Sequence, residues 1–282
     1  MNYRHAYHAG NFADVFKHIV LTRIVEYLKR KDAAFRVIDT HAGAGLYDLS
    51  SEEAQKTGEW RTGIGKLLGQ SLEPPVAELL RPYLETLALE PGASELAEYP
   101  GSPLIVRRLM RRQDRLFAIE LHPEDAASVK ALFAGDVQAR VMELDGWLSF
   151  GAHLPPKEKR GLVLVDPPFE EAGEFDRMVD ALVRGHRRWP GGVYAFWYPV
   201  KDRPAVAIFR KALAETGIAK ILDLALEVRG PSLEPTLDGS GMVVVNAPFT
   251  LEAEMRTILP ALTRMLAEGK GGRFEITRLT PG

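Results

Sequence analysis

GLVLVDPPF, residues 161 to 169, decides how the chain is read. An apolar run without polar alternation is the pattern of a parallel strand buried on both faces. The run stops at Asp166, Pro167, Pro168 and Phe169. Proline has no backbone donor and cannot continue a central ladder. The strand therefore ends in an acid, two proline carbonyls whose residues carry no N–H donor, and an aromatic ring. In an open parallel sheet that is the end at which ligands bind.

Working outward, the same pattern recurs. FRVIDTHAGAG (35–45) reads as a strand entering a glycine-rich turn, RLFAIELHPED (115–125) as a strand ending at Glu120, and ARVMELDGW (139–147) as one ending at Asp145. GGVYAFWYPV (191–200), AKILDLALEV (219–228) and GMVVVNAPF (241–249) bring the number to seven, with amphipathic stretches in most gaps. Alternating strands and helices predict an α/β fold built on a mainly parallel, Rossmann-like sheet flanked by helices. Before the first strand, Phe12, Val15, Phe16, Ile19, Val20, Ile24 and Leu28 recur at helical spacing behind Asn11, a suitable N-cap, with Asp14 in the first turn. Residues 46–114 are too long for one crossover helix and hold proline pairs and broken periodicity. They read as an inserted, mainly helical subdomain, with 1–45 and 115–282 forming the main domain.

Composition sets the limits. A chain of 282 residues, 46% hydrophobic, can bury a substantial core, and a formal charge of -2 gives no global basic field for nucleic acid. Positive charge is local: RRLMRRQDR (107–115), KEKR (157–160) and RGHRRW (184–189). The absence of cysteine excludes disulfides, thiolate zinc sites and a cysteine nucleophile. No window approaches the roughly 18 apolar residues of a membrane span, and the start lacks the apolar core of a signal peptide. A soluble, cytoplasmic protein is expected.

The strand ends supply the candidate site. The first turn offers Asp39, His41, Gly43 and Gly45; the others offer Glu120, Asp145 with Gly146, and Asp166. An acid at the end of the second strand can accept both hydroxyls of a ribose. A dinucleotide is disfavoured because the third position of G-x-G-x-x-G is Asp48, and no G-x-x-x-x-G-K-[ST] is present. A ribose-bearing ligand without phosphate fits better, and S-adenosylmethionine is the common one. DPPF then gains a purpose. The exocyclic amine of adenine is a poor nucleophile, its lone pair delocalised into the ring. Asp166 can accept one of its hydrogens and the Pro167 carbonyl the other, while Phe169 stacks on the base. Positioning carries most of such a reaction.

DPPF resembles the [DNS]-P-P-[FYW] signature of class I amino-methyltransferases acting on adenine N6, guanine N2 or glutamine amides. Together with YRHAYHAGNFADVFKH, DTHAGAGLY, YPGSP, IELHP, DG, YAFWYPV and SGMVVVNAPF, spanning residues 3 to 249, the chain resembles the 23S ribosomal RNA (adenine-N6)-methyltransferase J family. The resemblance implies a class I fold with S-adenosylmethionine as cofactor and no metal. It implies methyl transfer to one adenine of 23S ribosomal RNA (adenine 2030 in the family), and a monomer. It assigns His18, His41, Gly43, Ser102, Glu120, Asp145, Gly146 and Asp166 to the cofactor, Asp166, Pro167 and Phe169 to catalysis, and Tyr3, Lys17 and Phe169 to the target base. Phe169 stands where many relatives carry tyrosine, and THAGAG replaces the more usual aromatic-x-G-x-G.

A folded or paired base must be splayed out to reach Asp166, so the expected substrate is protein-free or early-assembly RNA. Basic residues of the insertion and of RRLMRRQDR would hold its phosphates. The rival readings are adenine methylation in DNA, glutamine methylation in a protein, and a non-catalytic RNA-binding module. His5, His8 and His18 invite a metal reading that the lack of cysteine and of acids at ligand spacing, Asp14 apart, argues against. NAPF (246–249) mimics the tetrad, but Ala247 interrupts the proline pair and the seventh strand should run antiparallel near the sheet edge, so it reads as structural. Trp197 and Tyr198 fit the base pocket and the core equally well.

Overall fold

The computed structural model describes residues 4–89, 96–232 and 236–281. Its strands are β1 (Arg36–Asp39), β2 (Leu46–Asp48), β3 (Glu98–Pro100), β4 (Arg115–Glu120), β5 (Ala139–Glu143), β6 (Gly161–Val165), β7 (Val193–Val200), β8 (Ile221–Glu227), β9 (Gly239–Val245) and β10 (Arg273–Arg278). The helices are α1 (Phe12–Lys29), α2 (Glu52–Thr57), α3 (Glu59–Thr62), α4 (Ile64–Leu68), α5 (Pro74–Thr86), α6 (Ser102–Leu109), α7 (Pro123–Leu132), α8 (Ser149–Ala152), α9 (Glu174–Arg188), α10 (Arg203–Glu215) and α11 (Leu251–Leu266).

One sheet of eight strands runs in the order β10-β8-β9-β7-β6-β1-β4-β5, and β2 and β3 form a separate antiparallel pair. From β5 through β7 the neighbours are parallel, whereas β9 is antiparallel to both β7 and β8. The order reverses at β1, with β4 on one side and β6 on the other, which is the crevice where doubly wound sheets place ligands.

The apolar run at 161–165 explains itself in this frame. Side chains of a strand alternate between faces. Leu162 and Leu164 join a cluster with α1, α6 and α11, while Val163 and Val165 join one with α8, α9 and α10. Both faces are covered, so no polar alternation survives. The first helix begins behind Asn11, whose side chain accepts from the amides of Ala13 and Asp14. It is buried nearly all round rather than on one stripe, since it lies against the sheet and against α5, α6 and α11.

All seven expected strands are present, but the sheet has an eighth, β10. RFEITR lacks an apolar run because β10 is a half-exposed antiparallel edge strand paired only with β8. β9 is antiparallel as expected, yet it lies inside the sheet, with β8 and β10 beyond it. Residues 46–114 contain β2, α2 to α5, β3 and α6. Among the described residues no helix is long and apolar enough to cross a membrane.

Candidate active site

A cavity of about 1320 Å³ opens at the carboxyl ends of the parallel strands. His18, His41, Gly43, Ser102, Glu120, Asp145, Gly146, Asp166, Pro167, Phe169 and Lys17, drawn from six separate stretches of sequence, all line it. Tyr3 lies outside the described residues.

The half of the cavity nearest β1 is built by mutual contacts among the strand ends. Gly43 adopts a φ of 61°, and its amide donates to Glu120 Oε2 at 2.8 Å. Glu120 Oε1 accepts from the His122 amide at 2.7 Å. Two backbone donors thus fix the carboxylate while its remaining lone pairs stay available for hydroxyl donors. Burial raises its pKa, against those same hydrogen bonds. Asp145 Oδ1 accepts from the Trp147 amide at 2.9 Å and starts a short 3-10 turn, Gly146–Leu148. Gly146 presses on the first turn, where a Cβ would lie 2.0 Å from the Thr40 carbonyl oxygen. His41 bonds the Thr40 hydroxyl through Nδ1 at 2.8 Å and meets the Trp147 ring edge-on at 5.2 Å. Burial and the Arg177 guanidinium push its pKa down to about 3, so the ring is neutral at physiological pH.

Deeper in, Ser102 opens α6 and donates to Asp39 Oδ2 at 2.6 Å. Asp39 is fully buried, and that burial pushes its pKa up to about 7 despite the Ser102 bond. His18 Nδ1 shares a proton with the Tyr99 hydroxyl at 2.8 Å, and Tyr99 in turn meets the Tyr83 hydroxyl at 2.9 Å. Burial, together with the Lys17 charge, keeps His18 well below the usual histidine range. Its Nε2 is buried at the cavity wall with no hydrogen-bond partner among the described residues. Such an orphan normally calls for a ligand or a water.

On the β6 side, Asp166 follows the last strand residue. Its Oδ2 accepts from Lys17 Nζ at 2.5 Å, and the same ammonium donates to Asp14 Oδ1 at 2.7 Å. Burial opposes the charge on Lys17, but the Asp14 and Asp166 carboxylates outweigh it and hold the ammonium far above its ordinary pKa. Phe169 sits at a φ of 53°, a left-handed conformation that costs a bulky residue on the order of 1 kcal/mol or more. Its ring is held edge-on by Phe175 at 5.1 Å and Trp197 at 5.9 Å. Backbone strain of this kind clusters at ligand clamps.

Asp14 and Trp197 are the site residues that sequence reasoning passed over or left open. Asp14 looked like an ordinary first-turn acid. Its side chain is only 2% exposed and receives the Gly10 amide, His5 Nε2 and Lys17 Nζ. The available signal was its i, i+3 spacing to Lys17. Trp197 lines the cavity and also packs against core neighbours, its Nε1 donating to Ser240 Oγ at 2.6 Å. Tyr198, fully buried and bonded to Asp223, belongs to the core.

Three of the arginines of 107–115 are engaged by the fold itself, whereas Arg112 is exposed. Arg107 pairs with Asp136, Arg108 donates to the Thr86 carbonyl, and Arg111 grips Asp114 and the carbonyls of Lys29, Lys31 and Ala33. They precede or begin β4, at the end of the sheet opposite Asp166. In KEKR, Glu158 holds Arg36 and Arg160 reaches the Ala33 and Leu28 carbonyls. Of RGHRRW, Arg184 reaches the cavity lining. The NAPF stretch also lies at that far edge, because β9 runs antiparallel. Asn246 donates to the carbonyls of Pro190 and Gly192, just before β7, and Phe249 is 79% exposed. His5 and His8 are tied to Asp14 and Glu59, and no group of three metal-ligating side chains occurs among the described residues.

Comparison with known proteins agrees with this arrangement. Residues 32–277 match the family model described as ribosomal RNA large subunit methyltransferase D, RlmJ. The chain is 45% identical over 282 residues to the ribosomal RNA large subunit methyltransferase J of Haemophilus influenzae, covering all of this chain and 99% of that protein. It is 42% identical over 281 residues to the Escherichia coli protein of the same name, again with 100% and 99% coverage. A crystal structure of the Legionella pneumophila protein LPL1258 superposes with a TM-score of 0.87 at 32% identity, covering 96% of this chain and 98% of that one. The chain belongs to the large-subunit ribosomal RNA methyltransferase J family and is a methyltransferase of the Rossmann-like class.

Proposed function

We propose that the protein transfers a methyl group from S-adenosylmethionine to the exocyclic N6 of a specific adenine in 23S ribosomal RNA. The observation that carries this reading is the placement of Asp166, Pro167 and Phe169 in the same cavity as Glu120, Asp145, Gly43 and His41. The cavity exceeds the roughly 300–1,000 Å³ usual for one small ligand, which leaves room for a cofactor and an extruded base together.

The residues fit the cofactor. Glu120 has lone pairs left for ribose hydroxyls, the glycine turn admits close backbone approach, and His18, whose buried Nε2 has no partner among the described residues, lines the same cavity. His41, Ser102, Asp145 and Gly146 complete the wall. When bound, S-adenosylmethionine supplies an electrophilic methyl group, so little acid-base driving is required of the protein.

Asp166 does the orienting. Lys17 compensates its charge and occupies Oδ2, leaving Oδ1 to accept one N6 hydrogen. The Pro167 carbonyl accepts the other, which favours a tetrahedral nitrogen over a planar one. Phe169, fixed by Phe175 and Trp197, stacks on the base. The proton shed by the methylated amine passes to Asp166 and from there to water. The neutral ring of His41 adds no positive charge beside an electrophile that is already cationic.

A base held in a duplex or an assembled particle cannot enter this cavity, so the substrate is protein-free or early-assembly RNA. We further propose that the protein acts as a cytoplasmic monomer, with 46–114 as a helical insertion in the methyltransferase domain. The test is a panel of labelled-cofactor incubations with deproteinised 23S RNA, intact large subunits, duplex DNA and a protein mixture. Label in naked RNA alone supports the reading. Label in DNA or protein overturns the substrate, and binding of cofactor without any transfer overturns the catalytic claim.

A further inference from the structure

Lys17 does not meet Asp166 alone. It is the third of four linked side chains: His5 Nε2 lies 2.9 Å from Asp14 Oδ2, Asp14 Oδ1 accepts from Lys17 Nζ at 2.7 Å, and Lys17 Nζ donates to Asp166 Oδ2. The Gly10 amide, in a turn with a φ of 77°, adds a third donor to Asp14 at 2.9 Å. Lys17 and Asp14 are 4% and 2% exposed, whereas Asp166 is 16% exposed at the cavity wall.

A lysine ammonium is a compact charge with three rotatable donors on a flexible stem. Offered one carboxylate only, it would be free to swing between that carboxylate's two oxygens. The second carboxylate, one turn back on α1, divides the donors and fixes the stem. Asp14 is itself immobilised by donors from the 3-10 turn at His5–Tyr7, from Gly10 and from α1. The chain is not a proton wire. Burial opposes charge at both groups, yet Asp14 is held below the usual carboxylate range and Lys17 above the usual ammonium range, so neither readily exchanges its proton.

We propose that Asp14 is a positioning residue for methyl transfer: it fixes the Lys17 ammonium on Oδ2 of Asp166 and so keeps Oδ1 open to the target amine. This rests on the function proposed above: Asp14, which lines the cavity wall, acts through Lys17 rather than on the reacting groups. It also gives the sequence GNFADVFKH a role beyond starting a helix.

The test is a double-mutant cycle of the full chain: wild type, Asp14→Asn, Lys17→Met and the double variant, assayed on deproteinised 23S RNA with thermal unfolding and cofactor binding measured in parallel. Asp14→Asn should lower kcat by up to about 100-fold, as a misplaced group near 1 Å can. KM for RNA and cofactor affinity should stay within about threefold of wild type. Because Asp14 acts through Lys17, the double variant should have the kcat of Lys17→Met, with no further loss. A wild-type kcat in Asp14→Asn, equal losses in kcat and RNA affinity, or multiplicative effects in the double variant would overturn the proposal. If Asp14→Asn does not fold, comparing Lys17→Met with the double variant still decides it, since the double variant removes both charges together. A wild-type chain that fails to methylate RNA overturns the function and this inference with it; an active wild type with multiplicative losses overturns only the role of Asp14.

Discussion

Gly146→Ala is the substitution whose outcome the geometry constrains most tightly. The added Cβ would lie 2.0 Å from the Thr40 carbonyl oxygen, 2.9 Å from its carbon and 3.1 Å from Thr40 Cβ. Relieving that contact to an ordinary separation of about 3.5 Å needs a shift of more than roughly 1 Å. Thr40 cannot give easily, since its amide and hydroxyl both donate to the Leu164 carbonyl, at 3.0 and 2.9 Å. Overpacking of this kind costs about 1–3 kcal/mol, and at roughly 2–4 °C per kcal/mol the melting temperature should fall by several degrees. The same shift moves His41 and the glycine turn, so cofactor affinity should fall by about tenfold, equivalent to ~1.4 kcal/mol. Thermal unfolding with and without S-adenosylhomocysteine reads both effects. At a ligand concentration 100 times the wild-type Kd, binding stabilises wild type by about 2.7 kcal/mol and a tenfold weaker variant by about half as much. A variant that melts like wild type and shows the same ligand-induced gain would refute the argument that Gly146 shapes the cofactor wall.

Three further outcomes follow from particular contacts. Asp39 titrates near 7 when folded against 3.8 as the ordinary value, so the native state binds the extra proton between about pH 4 and pH 7, and stability must fall as pH rises through that window. Asp39→Asn should remove that component; urea midpoints at pH 5 and pH 8 whose difference is unchanged by the substitution would contradict it. Asn246→Ala should lower stability by about 1–2 kcal/mol through loss of its two carbonyl partners, yet leave kcat within about twofold, whereas Phe169→Ala should lower kcat by more than tenfold in the same assay. Arg111→Ala should destabilise the fold, because it strips partners from Asp114 and three carbonyls, without changing KM for RNA; a raised KM would restore the phosphate-grip reading of 107–115.

Much of this architecture was written in local pattern. β6 was legible because burial on both faces leaves an unbroken apolar run, and its end was legible because proline cannot extend a central ladder. The strand-end acids followed from the topology of open sheets, and His41, Gly43, Glu120, Asp145, Gly146 and Asp166 do line one cavity, whereas Asp39 and Gly45 lie outside its lining. What local pattern could not show was pairing at a distance. β10 carries charged and polar residues because it is an edge strand, paired with β8 alone and half exposed. Arg107, Arg108 and Arg111 read as a nucleic-acid patch until their partners at Asp136, Thr86 and Asp114 are seen, and those contacts depend on tertiary proximity. Asp14 was visible as a helix-start acid, but its link to Asp166 spans some 150 residues of sequence and is created only by α1 packing under the end of β6.

The central claim is that this cavity methylates adenine N6 through Asp166. The most direct measurement is nucleoside mass spectrometry of deproteinised, unmodified 23S RNA after incubation with S-adenosylmethionine and either wild-type protein or Asp166→Asn. The account predicts N6-methyladenosine at a single position with wild type and a loss of at least about 1,000-fold with Asp166→Asn, while cofactor binding persists. Methyl groups on another base, or equal N6-methyladenosine from the Asp166→Asn variant, would contradict it.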